Sequence, residues 1–349
     1  MTGAGAGAIA VATLALSACT GADRWADPTS AMPREEVGLP VFSLAWQHEI
    51  SDKGGETLPQ EFASPVVFDD YLFVGSDAGT FLALAEKDGS RRWTTKLGSV
   101  SSRPVVDDRG LLFVGTDDGF LICVDAEDGK ERWRYATRGP ILEPPVLAEG
   151  MIFFTNEADQ VYALDPVDGT YRWQYKAEAP DEYTLRGHAG VTVDNGLLFT
   201  GFANGTLVAL RTATGSVAWM TSLKGDGETF VDVDGTPIVD GDTLYVTSSA
   251  GGVYAVDKTS GLVRWRQPIE GAGTLTIDAE RLYVAAAEQG IYALDHHGNV
   301  LWRQGTRGGG EPAALVLTGD YIMYALSDAG LLVADRASGV TLEWFDPGD

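Results

Sequence analysis

The stretch "FVGTDDGFLICVDAEDGKERWRY", residues 113–135, reads as two apolar strands around a tight turn, then an Asp-Gly turn, then a last strand carrying a tryptophan. "FVGSDAGTFLALAEKDGSRRWTT" stands forty residues earlier, at 73–95, and "FFTNEADQVYALDPVDGTYRWQY" forty residues later, at 153–175. The same local structure is therefore written at least three times in succession. Its apolar positions alternate or run continuously, as in strands covered on both faces, and no long helical pattern separates them.

Working outward, tryptophans recur at Trp46, Trp93, Trp133, Trp173, Trp219, Trp265, Trp302 and Trp344, with spacings between 37 and 47 residues. Most follow a turn dipeptide: Asp88-Gly89, Asp128-Gly129, Asp168-Gly169, Thr214-Gly215, Ser260-Gly261, His297-Gly298 and Ser338-Gly339. Glycine supplies the positive φ that such hairpin turns demand. A second short turn stands earlier in each unit ("SDAGT", "TDDGF", "FANGT"), and before it a strand often opened by Pro ("RPVVDD", "PPVLAEG", "TPIVDGD"). One unit is thus four short strands, and seven units start near residues 64, 103, 144, 189, 236, 274 and 312. A four-stranded unit repeated every forty-odd residues predicts an all-β chain folded as a β-propeller, with seven complete blades. A single blade cannot hide both faces, whereas a ring of blades can. The recurring tryptophans are expected to wedge between neighbouring blades as scaffold.

Ring closure stays open at this level. "SLAWQHE", residues 43–49, is a lone tryptophan strand ahead of the first full unit, placed to close the ring by adding to the last blade. The last unit already carries Trp344. Either seven blades close with one strand to spare, or an eighth blade is incomplete.

The chain has 349 residues, 44% of them apolar, with 43 Gly and 15 Pro. Lys plus Arg number 25 against 50 Asp plus Glu, a formal charge of −25. A field of that sign repels nucleic acid and anionic lipid headgroups. Of the two cysteines, Cys123 lies in the strand pattern "FLICVDA" and reads as a small buried hydrophobe. Cys19 ends the apolar run "AIAVATLALSAC", an export-signal pattern too short for a membrane span. The form "LSAC" resembles the bacterial lipoprotein signal, in which cleavage leaves a lipidated cysteine. The expected organisation is a signal peptide over 1–18, a flexible tether over 19–40 beginning at lipidated Cys19, and one propeller domain over 41–349.

Residues suited to chemistry are sparse. The four histidines are His48, His188, His296 and His297, and the adjacent pair sits across a turn, unsuited to binding one metal together. No HExxH, CxxC or GxSxG occurs, and the turns "GTDDG" and "GSDAG" lack the EF-hand spacing and its terminal Glu. Two units are interrupted: "APDEYTLRGHAG" (179–190) and "DGETFVDVDGTP" (226–237) each add about six residues before the first strand of consecutive blades. Both insertions therefore emerge on one side of the disc. One offers Leu185 and Arg186. The other offers Asp232 and Asp234, which as i,i+2 neighbours share a face. A hydrophobic anchor and an arginine beside an acidic pair have the composition of a protein–protein hot spot. An internal Arg186–Asp salt bridge tying the loops together fits the same residues equally well.

The unit "YLFVGSDAGTFLALAEKDGSRRW" resembles the PQQ-type propeller repeat shared by quinoprotein dehydrogenases and by the BamB family of outer-membrane assembly lipoproteins. The dehydrogenases hold their quinone with a vicinal disulfide, calcium ligands and a catalytic Asp, and this sequence has no vicinal cysteine pair. The BamB resemblance runs from Ser43 to Trp344 and includes the "LSAC" start. "TLRG", 184–187, resembles that family's Leu-Arg-Gly loop, which with an Asp-x-Asp in the following blade contacts the POTRA domains of BamA. Leu185 and Arg186 match the first element and Asp232 and Asp234 the second. Tyr183 stands where a second apolar contact is expected. The family's propeller has eight blades, one more than the seven units here.

The resemblance implies a non-enzymatic scaffold without cofactor or metal, lipid-anchored at the periplasmic face of the outer membrane. It would act as a monomeric propeller within a hetero-complex, with BamA POTRA domains and unfolded outer-membrane barrel precursors as partners and no nucleic acid. The competing class is a periplasmic propeller that binds a small molecule in its channel, or that serves another secreted or redox complex. Fold alone does not separate the two.

Overall fold

The computed structural model describes residues 42–48, 50, 64–178, 189–224, 232–306, 310, 312–327 and 330–345. These form seven four-stranded antiparallel sheets, each built from four strands consecutive in sequence. Blade 1 consists of Val66–Phe68, Tyr71–Gly75, Thr80–Ala85 and Arg91–Lys96. The remaining blades occupy 105–136, 146–176, 192–222, 238–267, 272–304 and 312–345. The chain is a seven-bladed β-propeller.

The second and third strands of each blade are apolar on both sides because both sides are covered. In blade 1, Phe73 and Phe81 pack with Leu112 and Val114 of blade 2, while Leu72, Val74, Leu82 and Leu84 face the other way. The same interleaving recurs around the disc to blades 6 and 7, where Tyr283 and Ile291 meet Ile322 and Tyr324. Outermost strands alternate instead, since only one of their faces is buried.

In blades 1 to 6 the tryptophan ties its blade to the next one along. The indole Nε1 of Trp93 donates to Ala126 O at 2.9 Å, Trp173 to Thr212 O at 2.6 Å, and Trp265 to His296 O at 3.0 Å. The carbonyl in every case belongs to the third turn of the following blade, and the indole lies flat on that turn's glycine. A Cβ at Gly215 would stand 2.5 Å from Trp173, and one at Gly129 would stand 2.7 Å from Trp93. The turn glycines therefore have two duties: a positive φ, 68° at Gly215, and room for the neighbour's ring.

Trp344 departs from this pattern and corrects its grouping with the other blade tryptophans. In blades 1 to 6 the tryptophan pairs with the middle residue of the third strand, as Trp93 does with Ala83 and Trp302 with Ala293. In blade 7 that middle residue is Val333, and it pairs with Glu343, while Trp344 pairs with Leu332. One residue of offset reverses the face of a strand. Trp344 accordingly packs back against the blade 6–blade 7 cluster.

The seam between blades 7 and 1 is bridged by the segment ahead of blade 1. Trp46 donates to Glu86 O at 2.7 Å and lies on Gly89, the contact that an outermost strand of a preceding blade would make. Trp46 and Ile50 cover Leu72, Val74, Leu82 and Leu84. On the blade 7 side, Phe42 N donates to Glu343 Oε2 at 3.0 Å and its ring meets Tyr321 edge-on at 6.0 Å. Residues 42–48 are not in a strand. The expected added strand of the last blade is instead a strap lying between two blades.

Candidate functional site

All blades run in the same sense, so the disc has two distinct sides. The turns between second and third strands, and the connectors from one blade to the next, lie on what is called here the upper side. The first and third turns of each blade lie on the lower side. The interrupted connectors leave blade 3 after Lys176 and blade 4 after Ser222, both on the upper side. Residues 179–188 and 225–231 lie outside the described residues, and with them Tyr183, Leu185, Arg186 and His188. Cys19, the signal peptide and the tether also lie outside them.

The returning ends of the two connectors are joined. Gly190 N donates to Thr236 Oγ1 at 3.0 Å, and Thr192 Oγ1 donates to Pro237 O at 2.5 Å. Thr236 Oγ1 in turn donates to Glu143 Oε2 at 3.3 Å, which brings in the connector from blade 2. Ala189 O accepts from Thr155 Oγ1 at 3.1 Å and Thr200 Oγ1 at 3.3 Å. The two insertions therefore stand on one hydrogen-bonded base.

Asp232 and Asp234 do not stand proud of that base as the sequence reading placed them. Asp232 is buried, 1% exposed, and both of its carboxylate oxygens are out of reach of water. Asp234 is half-buried; its Oδ2 accepts from Ser249 Oγ at 2.5 Å and its Oδ1 is sequestered. The cause lies in the residue between them. Val233 is a core side chain, packed with Phe199, Leu207 and Leu244. A Cβ at Gly201 would fall 2.3 Å from it, so only glycine at 201 lets the connector lie this deep. Gly235 is equally confined, its Cβ position 1.7 Å from Thr247 Oγ1. The same device recurs at Gly75 under Val100 and Gly115 under Ile141, so a glycine closing the second strand is the sequence signal of a deeply seated connector.

Burial raises the Asp234 carboxyl above its ordinary range, against the opposing pull of the Ser249 hydroxyl and the backbone N–H groups of residues 234 and 235. A carboxyl raised on folding binds protons more readily in the folded chain than in the unfolded one. Its contribution to stability therefore falls as pH rises beyond the unfolded value of about 3.9. Asp234→Asn, which keeps an acceptor for Ser249 without the charge, should melt at a higher temperature than the parent at pH 7. The difference should close at pH values below about 4, where both side chains are neutral. Circular-dichroism melts at the two pH values check this.

His296 Nδ1 lies 3.1 Å from Tyr245 Oη and 3.5 Å from Asp240 Oδ2, linking blade 6 to blade 5. Among the described residues, no group of three or more His, Cys, Asp or Glu side chains is arranged to hold a metal ion. Cys123 is fully buried, and burial pushes its thiol up to about 12. It should resist iodoacetamide at pH 8 in the native chain and react fully in denaturant, as mass spectrometry reads directly.

A family profile described as "Outer membrane protein assembly factor BamB" matches residues 12–109, 82–249 and 234–344. The outer membrane protein assembly factor BamB of Kangiella koreensis is 38% identical over 89 residues, 24% of this chain and 23% of that protein. The BamB of Xanthomonas campestris pv. campestris is 28% identical over 182 residues, 48% of this chain and 45% of that protein. The matched segments thus span less than half the length of these relatives. The crystal structure of BamB from Moraxella catarrhalis superposes with a TM-score of 0.59 at 21% identity, covering 77% of this chain and 95% of that one. At that identity the superposition speaks for the fold.

Proposed function

The chain belongs to the BamB family of outer-membrane protein assembly factors, and on that premise we propose that it is a non-enzymatic scaffold of the β-barrel assembly machinery. It is held through lipidated Cys19 on the periplasmic face of the outer membrane and docks on the POTRA domains of BamA. In this role it positions barrel precursors for insertion and carries out no chemistry of its own.

The observation that supports the docking surface best is the shared base of the two interrupted connectors, Gly190–Thr236 and Thr192–Pro237. It sets the ends of both loops side by side on the upper side of blades 4 and 5. Leu185 and Arg186, with Tyr183 beside them, are the contacting residues in this reading. Asp232 and Asp234 support them from beneath, Asp234 by anchoring its connector to Ser249. A rigid base lowers the ordering cost that a loop pays on binding.

The test is a photo-crosslinking amino acid placed at position 185, with the same amino acid at Val167 on the lower side as control. With the POTRA domains of the same organism, position 185 should give a covalent adduct and position 167 none. Equal yields from both positions, or none from 185, would remove the docking role from these loops.

A further inference from the structure

We propose that the lower rim of blades 3 to 7 is a lipid-contacting surface, so that the propeller rests on the membrane that its anchor enters; the inference builds on the lipid-anchor reading of Cys19. The first observation is where the large apolar side chains are exposed. Most of those among the described residues stand at the lower edge of the rim, at or just past the third turn of a blade. Val167 on blade 3, Val217 on blade 4, Leu262 on blade 5, Val300 on blade 6 and Val340 on blade 7 form one arc. Leu262 is 70% exposed. Leu44 of the strap, 60% exposed, continues the arc into the seam: it stands two residues before Trp46, as Val217 and Val300 stand two before Trp219 and Trp302. Blades 1 and 2 carry Lys87, Arg91, Glu127, Lys130 and Glu131 in the corresponding places. Scattered apolar residues on a surface need no explanation, but an arc restricted to one edge and to consecutive blades does.

The second observation is where the preceding chain arrives. Phe42 lies against Tyr321, which begins the second strand of blade 7 at its lower end, and Trp46 bonds to the third turn of blade 1. The segment carrying Cys19 therefore joins the propeller at the lower side, inside the apolar arc.

The third is shape. The tips stand on separate blades, one to a hairpin, and the outermost strands that carry them are all 5 or 6 residues long. Such a row offers a protein helix no groove. It can touch all at once only a broad surface with an apolar layer just beneath, which is what a bilayer interface provides. With a chain charge of −25 the fitting surface is zwitterionic rather than anionic. This places the upper side, with its two insertions, facing away from the membrane.

The experiment uses the acylated full chain in phosphatidylcholine–phosphatidylethanolamine vesicles, with a nitroxide at Leu262→Cys, Val340→Cys or, on the upper side, Leu142→Cys. Cys123 is buried and stays unlabelled. The collision ratio of molecular oxygen to a water-soluble nickel chelate should rise several-fold on vesicle binding at positions 262 and 340 and stay unchanged at 142. A water-like ratio at all three positions in chain that floats with the vesicles overturns the rim contact and leaves the anchor standing. Acylated chain that fails to float overturns the anchor reading and the rim contact together.

Discussion

Trp173→Ala should lower the stability of the folded chain by about 3–5 kcal/mol. Trp173 is 7% exposed, the most deeply buried of the wedge tryptophans, and its indole packs between its own blade and the third turn of blade 4. Removing it opens a cavity against Phe153, whose ring centre lies 5.8 Å away, and takes the donor from Thr212 O. Gly215 beneath it cannot refill the space, since its φ of 68° serves the turn. The loss falls on an interface that both blades need, so the transition should stay cooperative and move to lower urea. A midpoint within error of the parent would mean that the indoles decorate the interfaces without holding them.

Gly290→Ala is the second large effect, and a matched control makes it readable. Gly290 opens the third strand of blade 6 with φ at 104°, and a Cβ there would lie 2.0 Å from Gln304 O and 2.8 Å from Gly305 Cα. Both neighbours are backbone atoms, and Gln304 is itself in the strand paired with residue 291. The left-handed conformation costs an alanine about 1–2 kcal/mol, and forced displacement of the packed strand adds about 1–3 kcal/mol. Gly150, with φ at 76° and nothing within 4 Å of its Cβ position, pays only the first cost. Urea titrations should place Gly150→Ala below the parent by only about 1–2 kcal/mol and Gly290→Ala further below it, by the sum of both costs. Equal losses in the two variants would show that conformation, and not the close approach, sets the cost.

Much of this fold is legible in the sequence because a propeller repeats one local solution. The Asp-Gly turn, the double-sided apolar strands and the tryptophan four residues after the turn glycine recur with little variation, each with a separate physical reason. The spacing from Trp302 places Trp344 with the wedge tryptophans, but the turn glycine is the physical origin of the count. Counted from Gly339, the wedge position is Glu343, and the register of blade 7 follows that count. The fate of the strap was not legible, since its contacts are with residues 40 and 301 positions away. The insertions were legible as extra length, and their common side followed from topology alone. The burial of Asp232 and Asp234 was not, because it depends on Val233 entering a space that Gly201 leaves open one blade back. A carboxylate flanking a core valine reads in sequence like one on a surface.

The measurement closest to the central claim is a calorimetric titration of the mature chain with the POTRA domains of BamA from the same organism, run beside Arg186→Ala and Asp234→Asn. The account predicts binding by the parent and a loss of about tenfold or more for Arg186→Ala, equivalent to at least about 1.4 kcal/mol. Asp234→Asn, with its fold intact by circular dichroism, should retain most of the affinity, since Asp234 supports the connector from beneath. Absence of binding by the folded parent, or full binding by Arg186→Ala, would contradict the assignment of this propeller as a scaffold that docks through its interrupted loops.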